Sequence, residues 1–232
     1  MSFSLLFDID GVILKNKKLL HKVEKKCNVF CHKVIKKKLI KDNNITHPEE
    51  LNKYLYTTHG HTLRGVFKEA NYNLSEKLEL NDLFNSTVYD AESFNYLNDH
   101  LMSINFFDED FSSTLNLCVK NNINVDLFSN SSYIWSLIIA NQINKIYGFK
   151  IGDVYSSNCK IINNEFLFKP DLELYKLVEE NILKKNNNVK KILFIDDSII
   201  NVKGYSNQIW QPILYDCHTM KKIENLFYFK TI

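Results

Sequence analysis

The stretch Ser4-Leu5-Leu6-Phe7-Asp8-Ile9-Asp10-Gly11-Val12-Ile13 carries an apolar run straight into two aspartates separated by one residue, and then into glycine. An apolar run without alternation reads as a strand buried on both faces, the habit of parallel sheets held between helices. This strand ends in acid. Along extended backbone Asp8 and Asp10 would point to one side, with Ile9 opposite. At ~4 Å and an effective dielectric near 20 their repulsion is about 4 kcal/mol, which calls for a bound cation or a shared proton. Strand-end aspartates also cap turns, so the meaning of the pair depends on what the rest of the chain brings to it.

With 232 residues, 45% of them hydrophobic and 13% aromatic, the chain is long enough for one core plus an inserted module. Its 29 basic and 27 acidic side chains leave a net charge of +2, so no global field recommends nucleic acid or a membrane as a partner. Cys27, Cys31, Cys118, Cys159 and Cys217 show no CxxC spacing and lie mostly in apolar patterns, which reads as reduced thiols. Met1 to Phe7 has no basic leader region, and nothing approaches the ~18 apolar residues of a membrane span. The expectation is a soluble, intracellular, cytoplasmic protein whose oligomeric state is open.

After Gly11, the residues Leu20, Val23, Cys27, Phe30 and Val34 recur at helical spacing. Lys22, Lys25, Lys26, Lys33, Lys36, Lys37 and Lys38 fill the other faces, which reads as a solvated basic helix. His32 beside Cys31 has no second ligand pair and carries no metal site. Thr46-His47-Pro48-Glu49-Glu50 starts a helix, with Pro48 in its first turn. Helical patterns continue through Leu51 to Leu63, Leu74 to Phe84 and Phe94 to Ile104, so 15–105 reads as an α-helical insertion. Gly60 and Gly65 bracket Arg64 and suggest backbone turning there. Arg64 either grips an anionic or planar ligand or pairs with a helix-cap acid. His59 and His61 read by default as packing or surface histidines.

From Asp108 helix and strand alternate, the rhythm of a parallel sheet with crossover helices. The strand Ile123 to Phe128 ends in Ser129-Asn130-Ser131-Ser132 at the start of a helix, Tyr133 to Tyr147, where free amides favour an anion or where the serines merely cap. A short strand, Asp153 to Ser157, and a hairpin from Cys159 to Phe168 turning at Asn163-Asn164 follow. Lys169-Pro170-Asp171 opens the helix Leu172 to Leu183. The apolar strand Lys191 to Ile195 again ends in carboxylates, Asp196-Asp197, followed by Ser198 and Asn201. A strand at Ile213-Leu214-Tyr215 and a helix from Thr219 complete the chain.

Ligands of open parallel sheets bind beyond the carboxyl ends of the strands. The pattern therefore delivers Asp8, Asp10, Ser129, Lys169, Asp196 and Asp197 to one edge. Hard oxygen ligands without a His or Cys partner point to Mg2+, and the added hydroxyl and lysine suit phosphoryl transfer through an aspartyl-phosphate.

Phe7-Asp8-Ile9-Asp10-Gly11-Val12, Leu127-Phe128-Ser129-Asn130, Lys169-Pro170-Asp171 and Phe194-Ile195-Asp196-Asp197-Ser198 with Asn201, in that order, resemble the four motifs of haloacid dehalogenase (HAD) superfamily phosphatases. The resemblance spans nearly the whole chain. It implies an α/β doubly wound parallel sheet of the HAD-like, Rossmannoid kind, built from 1–14 and 106–232, with 15–105 as an inserted α-helical C1-type cap. Tyr56 to Val66 is similar to a cap tract of the pyrimidine 5'-nucleotidase branch, which has a glycine followed by Leu-Arg-Gly.

By that resemblance Asp8 is nucleophile and Mg2+ ligand, and Asp10 is general acid then base, lending its backbone carbonyl to the metal. Ser129 holds the phosphoryl group with the amide of Asn130, Lys169 neutralises charge, and Asp196 and Asp197 serve the metal. Asn130 and Arg64 are the candidate substrate-binding residues. The chain departs from the pattern in having Gly11 where the nucleotidase branch often has Asn, and Ser129 where Thr is common. The expected activity is Mg2+-dependent hydrolysis of a small phosphate ester, a nucleoside 5'-monophosphate being the first choice. The alternatives are an idle HAD scaffold that binds a protein or nucleic acid, a phosphatase of polynucleotide ends, and a mutase. A signalling receiver domain is disfavoured by motif order, since its paired acids come early and here they come last.

Overall fold

The computed structural model describes residues 3–37, 45–100, 107, 110–157, 160–216 and 218–228. Lys38, the expected helix end at Ile104, the expected boundary between 105 and 106, Asp108, Cys159 and Cys217 lie outside the described residues. Strand β1, Phe3–Phe7, is the middle of a five-stranded sheet. Its neighbours are β2, Val125–Ser129, and β6, Lys191–Asp196, with β3, Val154–Ser156, and β7, Trp210–Leu214, at the edges; every pairing is parallel. The apolar runs end up buried on both faces because alternate side chains feed different layers. Leu5 and Phe7 join one cluster, together with Phe111, Trp135 and Ile139. Leu6, Phe128 and Phe194 join the other, under Leu174, Tyr175 and Val178.

These apolar partners come from the flanking helices. Phe111–Lys120 is α6, Tyr133–Tyr147 is α7, Leu172–Lys185 is α8, Ile199–Gly204 is α9 and Thr219–Tyr228 is α10. The expected α/β architecture is therefore present. Strand β7 begins at Trp210, three residues before the position expected, and carries Pro212 within it. An edge strand tolerates this, because the missing N–H leaves no ladder bond broken. Residues Ile161–Ile162 and Glu165–Phe166 form the hairpin β4–β5, whose turn residues Asn163 and Asn164 sit at φ 52° and 66°, the left-handed pair that a tight hairpin requires.

Between β1 and α6 the described residues hold helices α1, Lys17–Lys36; α2, Pro48–His59; α3, Thr62–Glu69; α4, Leu74–Val88; and α5, Ala91–His100. The continuous pattern expected from Leu51 to Leu63 is broken at Gly60, which is left-handed at φ 78° and ends α2. Gly65, read from sequence as a turn residue, is instead helical: a Cβ there would lie 2.8 Å from Leu55, so it is small in order that α2 and α3 can approach. The basic side of α1 is not simply solvated. Lys22 pairs with Glu92 at 2.9 Å, Lys26 with Asp90 at 2.5 Å and Glu92 at 2.8 Å, and Lys33 reaches Thr87 at 2.7 Å, tying α1 to α4 and α5. Cys31 is buried and His32 exposed, so the two do not share a site.

Candidate active site

Register decides which residues meet. Phe7 pairs with Leu127 on one side and Ile195 on the other, so Asp8, Ser129 and Asp196 all emerge at the carboxyl edge of the sheet. The Asp8 N–H donates to the Ile195 carbonyl at 2.8 Å, which extends the ladder one step and fixes the acid beside β6. Beyond it the backbone leaves strand geometry. Gly11 is left-handed at φ 86°, and a Cβ there would overlap the Asp197 carboxylate, so no larger residue fits without moving Asp197.

Lys169 is the hub. Its Nζ lies 2.9 Å from Asp8 Oδ1 and 2.6 Å from Asp196 Oδ2, and donates to the Phe128 carbonyl at 2.8 Å, with the side chain 1% exposed. Burial alone would push this ammonium down, but Asp196 and then Asp8 hold it above its ordinary value. Its backbone is clamped as well: Asn130 Oδ1 accepts from Lys169 N at 2.8 Å, and Asn130 Nδ2 donates to Lys169 O at 3.1 Å. Asp196 is fixed by Ser198 N at 2.8 Å and by Asn201 Nδ2 at 3.1 Å from both oxygens. Tyr175 in turn holds the Asn201 carbonyl at 2.8 Å.

Charge is out of balance here. Burial lifts the Asp8 carboxyl well above the usual range; Lys169 draws it down, while Asp196, Asp197 and Asp10 raise it, in that order. Like-charge pressure on Asp8 thus comes chiefly from β6 rather than from Asp10. Alternation fails between the two because the strand stops at Phe7. Asp197, open at the cavity rim, is held at about 6 by the protein packed on its inner side and then by Asp196. Among the described residues the cations acting on these four carboxylates are Lys169 and, near Asp197, Lys15, whose ammonium also bonds the Gly11 carbonyl and lies 3.6 Å from the centre of the Tyr215 ring. Asp8, Asp196 and Asp197 can each offer one oxygen, and these oxygens lie within 4.8 Å of one another. An all-oxygen set with excess negative charge fits a hard divalent cation such as Mg2+.

Asp10 stands apart from that cluster. Burial raises its carboxyl, against a downward pull from Ser131 and Trp135. Its Oδ2 accepts from the Ser131 hydroxyl, and the Trp135 indole lies close enough to lower the carboxyl as well. A carboxyl whose hold on its proton is strengthened by burial suits proton donation. Ser129 Oγ accepts from Ser131 N at 3.1 Å, and Ser132 caps α7 through Trp135 N. Asp8, Asp10, Ser129, Asn130, Lys169 and Asp197 all line one cavity of about 140 Å3.

The helices supply its other wall. Tyr56, Gly60 and His61 line it, and so do Leu20, Val23 and Cys27 of the α1 apolar stripe, of which Val23 and Cys27 also pack on the core. It runs into a second cavity of about 790 Å3 that shares Asp10, Asp197, Tyr56 and Thr62 and lies along α1 and α2. Arg64 is not among the lining residues of either cavity. Its Nε and Nη2 bond Asp171 Oδ1 at 3.2 and 2.8 Å and its Nη1 bonds the His59 carbonyl at 2.7 Å, which is the helix-cap pairing of the two roles weighed from sequence. His59 pairs with Glu69 at 2.7 Å. Burial raises the thiols of Cys27 and Cys118 to about 12, and Cys31 further, so these remain thiols.

Sequence reasoning did not single out Ser131, Lys15 or the side chain of Asn130 as organisers. A run of four small polar residues gives no sign of which hydroxyl turns toward Asp10.

No protein-family model and no curated protein matches the sequence. Solved structures do share its fold. A haloacid dehalogenase-like hydrolase from Bacteroides fragilis aligns with a TM-score of 0.53 at 16% identity, over 87% of this chain and 81% of the other. A hydrolase from Pseudomonas syringae gives 0.53 at 12% identity, over 96% and 90%. CbbY from Rhodobacter sphaeroides, solved in complex with phosphate, gives 0.50 at 13% identity, over 88% and 81%. At such identities the likeness is one of fold.

Proposed function

We propose that this chain, whose fold is HAD-like, is a Mg2+-dependent phosphatase acting on a small phosphate monoester, with a nucleoside 5'-monophosphate as the preferred class. The observation that carries the reading is Lys169 held between Asp8 and Asp196, with Asp197 beside them and Asp10 lining the same cavity. Phosphate bound by CbbY, on the same fold, is in keeping with it.

In this reading an Asp8 oxygen attacks phosphorus and the ester oxygen departs with the Asp10 proton, leaving an aspartyl-phosphate. Asp10, now ionised, takes a proton from water, which cleaves the acyl phosphate and restores Asp8. Lys169, the Ser129 hydroxyl and the amide of Asn130 hold the phosphoryl oxygens. Asp8, Asp196 and Asp197, with the Asp10 carbonyl, would hold Mg2+, which supplies neutralising charge for the phosphoryl group. The cavity of about 790 Å3 along α1 and α2, with Tyr56 at its junction with the smaller one, has room for a nucleoside.

Phosphate release from nucleoside 5'-monophosphates, sugar phosphates, p-nitrophenyl phosphate, and 3'- and 5'-phosphorylated oligonucleotides, each with and without Mg2+, tests the proposal. Release that requires Mg2+ and is fastest on mononucleotides supports it. Preference for oligonucleotides moves the substrate class, and no release from any ester favours the idle scaffold.

A further inference from the structure

The roles assigned above leave an imidazole in the catalytic cavity unused. His61 lines it together with Asp8, Ser129 and Lys169. It follows Gly60, whose left-handed turn lies against Asn201, Ile200 and Pro170 of the sheet domain, bringing the helical layer down onto the lysine loop. The imidazole is stacked on Phe168, with ring centres 5.1 Å apart at 26°, and meets Phe84 edge-on at 5.3 Å. Phe168 precedes Lys169 in the chain, so the ring is anchored beside the catalytic lysine.

Its protonation follows from its contacts. Nδ1 accepts the Arg64 backbone N–H at 3.5 Å as the cap of α3, which places the ring proton on Nε2. Burial, then the charges of Arg64 and Lys169, hold the imidazole down at about 3, so it stays neutral. No protein partner for Nε2 occurs among the described residues. A neutral donor fixed in a cavity calls for an acceptor from the ligand. The phosphoryl oxygens are addressed from the sheet by Lys169, Ser129 and Asn130. His61 enters from the helices, next to Tyr56 and Thr62, where the phosphoryl cavity opens into the larger one.

Resting on the function proposed above, we infer that His61 is a substrate-contacting residue whose Nε2–H donates to an oxygen of the leaving group, selecting esters of sugar-like, oxygen-bearing alcohols. p-Nitrophenyl phosphate has no such oxygen next to its ester.

The test compares kcat/KM on the best nucleoside monophosphate and on p-nitrophenyl phosphate for wild type, His61→Phe and His61→Asn, with inorganic phosphate affinity measured by calorimetry. His61→Phe keeps a ring to stack on Phe168; His61→Asn keeps a cap acceptor for Arg64. In both, the nucleotide-to-nitrophenyl ratio is expected to fall about 10- to 100-fold, as when a buried partner is left unpaired, while phosphate affinity holds within about threefold. An unchanged ratio in both variants overturns the assignment. So does an equal loss on both esters that tracks phosphate affinity, which places His61 on the phosphoryl group. A wild type inert on every ester removes the proposed function and this assignment with it, whereas an active wild type with unaltered variants removes the assignment alone.

Discussion

Asp8 and Lys169, far apart in the chain, are joined by a 2.9 Å ion pair that is almost wholly withdrawn from solvent. The lysine also serves Asp196 at 2.6 Å, so its removal strands two buried carboxylates at once. Lys169→Met is expected to lower stability in chemical denaturation by about 3–5 kcal/mol, the usual result of breaking a buried pair from one side. Turnover should fall by about 10^2 to 10^3, the loss typical of one charge-stabilising donor. Mg2+ should restore part of the stability and little of the turnover.

Asp10 is expected to give its proton to the leaving group in the first step and to take one from water in the second. Asp10→Asn retains the shape and the Ser131 bond but has no proton to give. Turnover of alkyl phosphates should drop about 10^2- to 10^4-fold. The drop should be smaller on p-nitrophenyl phosphate, whose phenolate leaves without a proton. Equal losses on both esters, measured as kcat/KM, which reads the step that expels the leaving group, would place Asp10 elsewhere in the reaction.

The carboxylate cluster makes the metal-free protein sensitive to pH. Asp197 is held at about 6, above its ordinary value, so between roughly pH 4 and 6 the folded chain binds a proton that the unfolded chain has lost. Its contribution is therefore present at low pH and is lost as pH rises through about 6. Compared with Asp197→Asn, the wild type without metal should lose melting temperature across that window. Mg2+ at pH 7 should raise the melting temperature of the wild type, and do so less in the variant. A difference between the two proteins that does not change with pH would show that the cluster does not load this carboxyl.

The sheet was legible because its strands are apolar without interruption, and each ends in the polar residues that register later brings together: Phe7 before Asp8, Phe128 before Ser129, Ile195 before Asp196. What hid from sequence was the direction of side chains once the strands end. Two aspartates one residue apart suggested mutual repulsion, yet the backbone turns after Phe7 and sets Asp8 against β6 instead. Arg64 lay open between two roles because its partner, Asp171, is distant in sequence and only the packing of α3 on the α8 entrance makes them meet. His61 looked like packing and does pack, on Phe168 and Phe84. That it also lines the cavity depends on the left-handed turn at Gly60 and on no pattern within the histidine's own neighbourhood.

Everything proposed for the reaction depends on Asp8 carrying the phosphoryl group. Quenching a steady-state reaction with a 32P-labelled nucleoside monophosphate, reducing the acyl phosphate with borohydride and mapping the altered residue by peptide mass spectrometry reads this directly. The account expects modification at Asp8, present only with Mg2+, enriched in Asp10→Asn on p-nitrophenyl phosphate, and absent in Asp8→Asn together with all turnover. Modification at another residue, or an Asp8→Asn protein that hydrolyses the ester at the wild-type rate, would contradict it.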